Sequence, residues 1–553
     1  MSAFLYLVDA TVYDIADEAE RVLRYATGLG FVTAPTDTPA STLYDARLEQ
    51  AFEVVRSIYA PGTTQGQSKT GFGEVVLMNP DAQLDELIGT AFGGRPIVIR
   101  RGPATATSLS EFTTIFAGTM ELAEFSTLRV TIKLRDNQAL LQSPLQTIKY
   151  AGNNALPNGL EGTPADLAGK PKPLVFGHVR GIAPPLVNTA RLVYQISAAA
   201  IETVDAVYVR GVPLANDGTY ASKAELLNDA LAPASFGFKV WRDTAQCFIR
   251  LGSSPDGIVT ADATHGANAA DRTAAQLYRT VLLYAGVLNS NIVASDLTAL
   301  DTVNVAELGL YVNDDTRSAA VLDQIANSVG AWWGENQFGK FRIARLERPT
   351  GDAVRVFVAN DLIGPPVRQA TNDPERGLPA HRVTVRYARN YTVQTTDVAG
   401  SVSDARRGEI AQAWREATIA DDAVLLVYQP PVELLYETLM RSAADAQAEA
   451  ARRLELRSIQ RHRFQITTLF DDETAAIDLG DTVGLFYDRF LLSVQGNEQG
   501  QLFVVLGVDP NARSGRVTFT LWGNSLRTRN LVEAGSLSFF RTNDGAFLIT
   551  NDS

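Results

Sequence analysis

The sequence predicts a mainly β, multi-domain protein with α+β insertions, and three observations carry that expectation. Its 553 residues amount to about three or four domains of ~150 residues each. Both ends of the chain are built from short apolar and β-branched runs with period-2 alternation, the pattern of half-buried strands. Between them the apolar period lengthens to the spacing of amphipathic helices.

Composition narrows the function. With 49 Lys+Arg against 62 Asp+Glu the net charge is −13, which argues against a generally basic nucleic-acid binder. Only 8 of the basic residues are Lys, the last being Lys340; Arg forks suit bidentate interface pairs, and a GC-rich coding genome gives the same bias. Hydrophobic residues make up 46%, and Gly and Pro together are near the ~12% of ordinary globular chains, which excludes collagen-like, low-complexity and wholly disordered classes. The single cysteine, Cys247, rules out an intramolecular disulfide framework, a Cys-based zinc site and a four-thiolate cluster. His178, His265, His381 and His462 lie too far apart for an HExxH or HxxxH pair. No basic residue precedes Arg21 and no run approaches ~18 uninterrupted apolar residues, so synthesis in a cytoplasm, without a membrane span, is expected.

Residues 1–150 form the first expected domain. Strand-like runs stand at Phe4–Val12, Glu53–Tyr59, Glu74–Met78, Pro96–Arg100 and Leu128–Leu134, as in a meander or split barrel. Asn79-Pro80-Asp81 reads as a turn and N-cap, and Leu84, Leu87, Ile88 and Ala91 then predict a short crossing helix. Tyr59–Phe72, with Pro61, Gly62, Gly66 and Gly71, has the composition of a mobile surface loop able to order on a partner. The Gly- and Pro-rich stretch from Gly152 to Lys172 marks a boundary, and residues 151–265 form a β-rich second domain with runs at Arg191–Ile196, Val204–Val209, Ala245–Leu251 and Gly257–Asp262.

Residues 266–350 form an expected α+β domain. Ala275, Leu277, Tyr278, Val281, Leu282 and Ala285 make one helical stripe. Ala319, Leu322, Ile325, Ala326 and Val329 make another, with Asp315 or Thr316 as its cap. Ala331-Trp332-Trp333 and Phe341-Arg342-Ile343 flank Gln337-Phe338-Gly339-Lys340 as a hairpin. Residues 351–525 return to strands, at Arg382–Tyr387, near Phe464, and at Thr482–Phe486, Leu502–Val508 and Arg516–Trp522 after the turn Asp478-Leu479-Gly480-Asp481. A helical insertion spans about 401–457, its stripe being Leu435, Leu439, Ala443, Ala446, Ala450 and Leu454. Residues 526–553 form a C-terminal β-hairpin tail turning at Asn543-Asp544-Gly545.

Chemistry is sparse. Gly62–Thr70 lacks the glycine directly before Lys69 that a phosphate loop needs and reads as a plain loop. Gly71-Phe72-Gly73 and Gly28-Leu29-Gly30 lack a third glycine. No GxSxG elbow is present, and Cys247 in Cys247-Phe248-Ile249 reads as buried and inert. Asn313-Asp314-Asp315 and Asp471-Asp472-Glu473 lack the alternation of a calcium loop and read as turns or caps. Trp332-Trp333 is either a stacking platform or, in a strand, one core residue and one interface residue, and the second reading is favoured. No catalytic, cofactor-binding or metal residue is assigned and no cofactor is expected.

Several segments, in their order along the chain, resemble the baseplate hub or tail-tip proteins of tailed bacteriophages and gene transfer agents. They are Gly73-Glu74-Val75-Val76-Leu77-Met78-Asn79-Pro80-Asp81 with Leu84-Asp85 and Gly94-Arg95, then Leu160-Glu161-Gly162 before Lys172-Pro173-Leu174-Val175-Phe176-Gly177. Arg250-Leu251-Gly252 leading to Gly257-Ile258-Val259-Thr260-Ala261-Asp262 follows, and Asp478-Leu479-Gly480-Asp481-Thr482-Val483 with Phe519-Thr520-Leu521-Trp522-Gly523 closes the series. The resemblance implies a homotrimeric, non-enzymatic virion protein. Its two β-barrel-like ring domains, residues 1–150 and 351–525, would match a hexameric distal tail ring on one side and a trimeric central fibre on the other. It further implies the end of a DNA-ejection channel, through which DNA passes without sequence-specific binding, and an acidic lumen would suit the net charge. Some tip proteins hold an iron–sulfur cluster, from which a chain with Cys247 alone departs; some hubs carry a fused lysozyme or peptidase domain, and no comparable unit stands out. The rival expectations are a tail-associated cell-wall glycosidase, which needs only two suitably spaced carboxylates, and a carbohydrate-binding adhesin using Trp332 or Trp333.

Overall fold

The structure is a computed structural model and describes residues 4–69, 71–154, 157–490, 492, 500–523, 537–541 and 547–551. The N-terminal strands are β1 (Phe4–Asp14), β2 (Ala19–Ala26), β3 (Leu48–Ser57), β4 (Phe72–Met78), β5 (Pro96–Pro103), β6 (Thr113–Phe125) and β7 (Arg129–Arg135). They pair antiparallel in the order β2-β1-β5-β6-β7-β4-β3. Alternation along β1 sends Tyr6, Val8, Ala10 and Val12 into the main core, while Leu7 joins a smaller cluster with Phe31, Tyr44 and Phe112. The sheet curls until Tyr25 of β2 meets Asp45 in a single bridge, and no ladder continues it. The predicted crossing helix is only one 3₁₀ turn, Asp85–Gly89, with Leu87 buried and Ile88 exposed. Asn79 accepts the Leu84 N–H and donates to Asp85, so the turn's donors are satisfied without a longer helix.

Next come β8 (Leu174–Ile182), β9 (Val193–Ser197), β10 (Thr203–Val209), β11 (Gly237–Arg242), β12 (Cys247–Leu251) and β13 (Val259–Thr264). They divide between two five-stranded sheets, β10-β13-β8 in one and β9-β12-β11 in the other, whose inner residues share one core around Val179, Ile196, Val207 and Ile249. The following segment holds α1 (Ala274–Tyr284), α2 (Ala294–Val303), β14 (Gly309–Val312), α3 (Ser318–Ser328), β15 (Ala331–Glu335) and β16 (Phe341–Arg345). β14 extends the first of those sheets by pairing with β8. The stripes predicted on α1 and α3 are the faces they bury, from Leu277 to Leu282 and from Ala319 to Val329. Neither Asp315 nor Thr316 caps α3: Arg317 occupies that position without a side-chain cap, and Asp314 instead accepts the Thr316 N–H at 3.0 Å. β15 and β16 pair as expected, Trp333 opposite Ile343. Gly339 closes the hairpin with φ +69°, where a Cβ would lie 2.9 Å from the Ala117 carbonyl.

The last segment runs β17 (Arg382–Tyr387), α4 (Asp404–Ile410), β18 (Arg415–Ala420), β19 (Glu433–Glu437), α5 (Ala443–Arg457), β20 (His462–Leu469), β21 (Thr482–Leu485), β22 (Gln501–Asn511) and β23 (Arg516–Gly523). The helical stripe is real only from Ala443 onward; Leu435 sits in a strand instead. β17 pairs antiparallel with β18 and parallel with β19, and α5 covers β17 and β18. The insertion is therefore a small α/β layer and not a lone helix.

β20, β23 and β22 form an antiparallel ladder, with β21 on β22. β22 then pairs with β3, Gly507 opposite Ser57 and Val508 opposite Arg56. Among the described residues, strands of the N-terminal segment and strands up to β23 thus lie in one open fourteen-stranded sheet. The mainly β, multi-domain class is what the structure has, but among the described residues none of its sheets closes into a barrel. The reason is local: at the seam the ladder passes to the other end of the chain and does not return to its own first strand. Across the seam Arg56 donates to Asp478 at 2.6 Å, with both side chains largely buried. In the tail β24 (Leu537–Arg541) pairs with β25 (Phe547–Asn551); the predicted Asn543–Gly545 turn lies outside the described residues.

Candidate interaction groove

The loop Tyr59–Phe72, expected to be mobile, is pinned from several sides. The Thr64 N–H and Oγ1 donate to the Asp373 carboxylate at 3.0 and 2.7 Å, and Arg457 donates to Thr64 Oγ1 and O at 2.7 and 2.8 Å. Gln65 donates to Glu375 and accepts from the Tyr436 hydroxyl at 2.9 Å. Ser68 donates its N–H to Asp323, whose carboxylate also receives the Trp333 indole N–H at 2.8 Å. Small polar residues suit this loop because each presents backbone and hydroxyl groups to partners that lie far away in the sequence.

Behind the loop lies a buried charge cluster on α5. Glu449 is 2% exposed and receives Arg453 at 2.6 Å, Arg452 at 2.7 Å and Arg345 at 3.3 Å. Burial works to raise its carboxyl, but the guanidiniums, Arg453 first, outweigh it and hold the group at about 2. Arg453 also lies 4.0 Å above the Tyr436 ring. Sequence reading missed this cluster, although Glu449-x-x-Arg452-Arg453 has the i,i+3 and i,i+4 spacing that brings such groups together.

Loop, helix and β19 enclose a groove of about 430 Å³. One wall is β19 itself, which pairs on one side with β17 and on the other with no strand among the described residues. The opposite wall is Gln65, Glu375 and the α5 residues Arg452, Leu456 and Arg457. Leu435 is 52% exposed beside it, between Glu433 and Glu437, which pair with Arg382 and Arg386. A free strand edge flanked by apolar and charged side chains can accept an extended peptide by backbone hydrogen bonding.

The remaining candidates resolve differently. Trp332 and Trp333 are both 2% exposed, on opposite faces of β15: Trp332 joins the core of the large sheet, Trp333 that of the helical segment. Neither offers a stacking face to a sugar, and the expected interface tryptophan is a second core residue. Cys247 is fully buried, and burial pushes its thiol up. Asp471 accepts the Thr474 N–H at 2.8 Å and caps a short helix, as its sequence suggests. One carboxyl pair, Asp136 and Glu335, is strongly perturbed. Burial is the main cause of both upward shifts, and Asp136 adds its charge to that of Glu335. Gly71, Gln138 and Asn137 donate to the pair, while Glu335 Oε1 has no partner. The adjoining cavity is only about 10 Å³, too small for a sugar ring.

No protein-family model and no curated protein sequence matches the chain. Among solved structures it is similar to the 43 kDa tail protein of prophage MuSo2 from Shewanella oneidensis, at 11% identity and a TM-score of 0.38 over 87% of this chain and 96% of that one. It is also similar to a tail protein from Neisseria meningitidis MC58, at 10% identity and a TM-score of 0.38 over 94% and 97% of the two chains. A chain of the virion of a native gene transfer agent particle is similar at 12% identity and a TM-score of 0.41, over 65% of this chain and 86% of that one. Among the described residues no helix is long and apolar enough to cross a membrane. In each of these three likenesses the identity is 12% or less and the TM-score 0.41 or less.

Proposed function

We propose that this chain is a structural virion protein of a phage-type tail, a baseplate hub or tail-tip component that joins the distal tail ring to the central fibre and forms the end of the DNA-ejection channel. One observation carries the reading. The strand residues Gly73–Met78 of the first hub-like segment and Phe519–Gly523 of the last, over 400 residues apart in sequence, fall in the same continuous sheet through the β3–β22 seam. Residues 1–150 and 351–525 are then the two ring-forming units of each chain, with 151–265 and 266–350 as smaller units inserted between them. A homotrimer of such chains has six ring units, which suits a hexameric ring on one face and a trimeric fibre on the other. The chemistry is interfacial and not catalytic: strand edges and the groove along β19 receive neighbouring tail components. Synthesis is in the bacterial host cytoplasm, and the working location is the tail tip.

Native mass and negative-stain imaging of the full chain test this. Three chains of 59.7 kDa give a particle of about 179 kDa with threefold symmetry and a central opening. A chain that stays monomeric even when mixed with its distal-ring and fibre partners overturns the reading.

A further inference from the structure

A second polar cavity, of about 30 Å³, lies where the strands β8 and β13 meet α4 and β18. That is roughly twice the ~10–15 Å³ one water requires. Its lining has a surplus of donors. Arg180 lines it and makes no side-chain hydrogen bond or ion pair among the described residues. Arg406 and Arg415 share the single carboxylate of Glu409, at 3.2 and 3.1 Å, and Arg406 Nε is buried without an acceptor. Arg441, beside this group, also has a buried Nε without an acceptor, and its own contact is His178 at 3.2 Å. The other acid, Asp262, is occupied by the Gly181 N–H at 2.8 Å and faces the Tyr208 hydroxyl. Gln394 is 4% exposed, and its Oε1, as placed, is buried with no hydrogen-bond partner among the described residues. Turned about its terminal bond, that amide directs Nε2 where Oε1 now lies.

Three guanidiniums line the cavity against two carboxylates already engaged, so the missing component is an acceptor with negative charge. We infer that this cavity binds one small tetrahedral oxyanion of the inorganic phosphate type, held by Arg180, Arg406 and the Gln394 amide. Bound there it links β8 and β13 to the 388–415 segment. The volume of about 30 Å³ suits a free ion.

Titration calorimetry of the full chain with inorganic phosphate, in chloride buffer at constant ionic strength, tests the site. One saturable event per chain is expected, weakened at least tenfold in Arg180→Gln and in Gln394→Leu and unchanged in Arg513→Gln, a distant surface control. Because Arg180 has no internal partner, Arg180→Gln retains the wild-type circular dichroism and melting profile, which separates loss of binding from loss of fold. Absence of saturable heat, or equal affinity in Arg180→Gln, overturns the site. A dT oligonucleotide that binds as tightly as phosphate, and loses that binding in the same variant, overturns its assignment to a free ion.

Discussion

Glu449 and Glu335 are 2% and 4% exposed, yet their neighbours set opposite protonation behaviour. Glu449 faces Arg345, Arg452 and Arg453 and stays ionised. Its folded value is depressed, so the stability it supplies is complete above ~4.3, the ordinary glutamate value, and is lost as pH falls toward about 2. Glu449→Gln leaves three guanidiniums buried against a neutral amide, and the expected cost is about 3–5 kcal/mol, read from the urea midpoint at neutral pH. An unchanged midpoint contradicts the arrangement. Glu335 faces Asp136, with Arg56 as the charge that favours ionisation and is itself engaged by Asp478. Both carboxyls are raised in the folded state, so the fold binds more protons than the unfolded chain above ~4. Their contribution is therefore full at low pH and declines as pH rises through the raised values. Glu335→Gln keeps the Asn137 contacts and removes one titrating group. The loss of stability of wild type between about pH 5 and pH 8 is expected to shrink in this variant; an identical pH slope in both proteins disproves the account.

At the scale of elements, structure is legible in the sequence wherever a face repeats and hidden wherever a partner is distant. Arg382–Tyr387 is observed with the predicted bounds, and α1 and α3 bury the predicted stripes. Local period determines which side chains share a face. It does not show that Trp332 and Trp333 lie between two cores, nor that Leu435 is a strand residue ahead of the helix. β2, with Glu20, Arg21 and Arg24 on a sheet edge, lacks the apolar alternation that reveals strands. The loop Tyr59–Phe72 is the clearest case: Gly, Ser and Thr read as mobility, but its partners Asp373, Arg457 and Asp323 are hundreds of residues away. Thr64→Val removes the hydroxyl that donates to Asp373 and accepts from Arg457, both in a buried setting. The expected cost is about 1–3 kcal/mol, accompanied by faster proteolytic cleavage within 59–72. Unchanged cleavage kinetics indicate that the backbone contacts of Thr64 alone hold the loop.

At the scale of the whole molecule, the same limit explains why two barrels were expected and one open sheet is found. Strand pattern at each end carries no record of pairing across more than 400 residues. The candidate groove was illegible for the same reason, since its walls come from the 59–72 loop, β19 and α5. The seam has a direct consequence. In isolation, residues 1–150 would expose the β3 edge, uncover the apolar face that packs against Val505, Val508 and Phe519, and leave Arg56 and Arg101 without Asp478 and Asp472. An unpaired apolar edge templates association, and an uncovered buried charge must be hydrated at the expense of packing around it. The fragment 1–150 is therefore expected to aggregate or to remain partly unfolded under conditions in which the full chain folds. Co-expression with residues 351–525, which restores β22 and the Asp478 turn, is expected to rescue it as a complex recoverable on a tag placed on either piece. A fragment 1–150 that is monomeric, with dispersed amide resonances and a cooperative melt, shows instead that the N-terminal sheet is complete without the seam, and that β3–β22 pairing joins two finished units and not two halves of one.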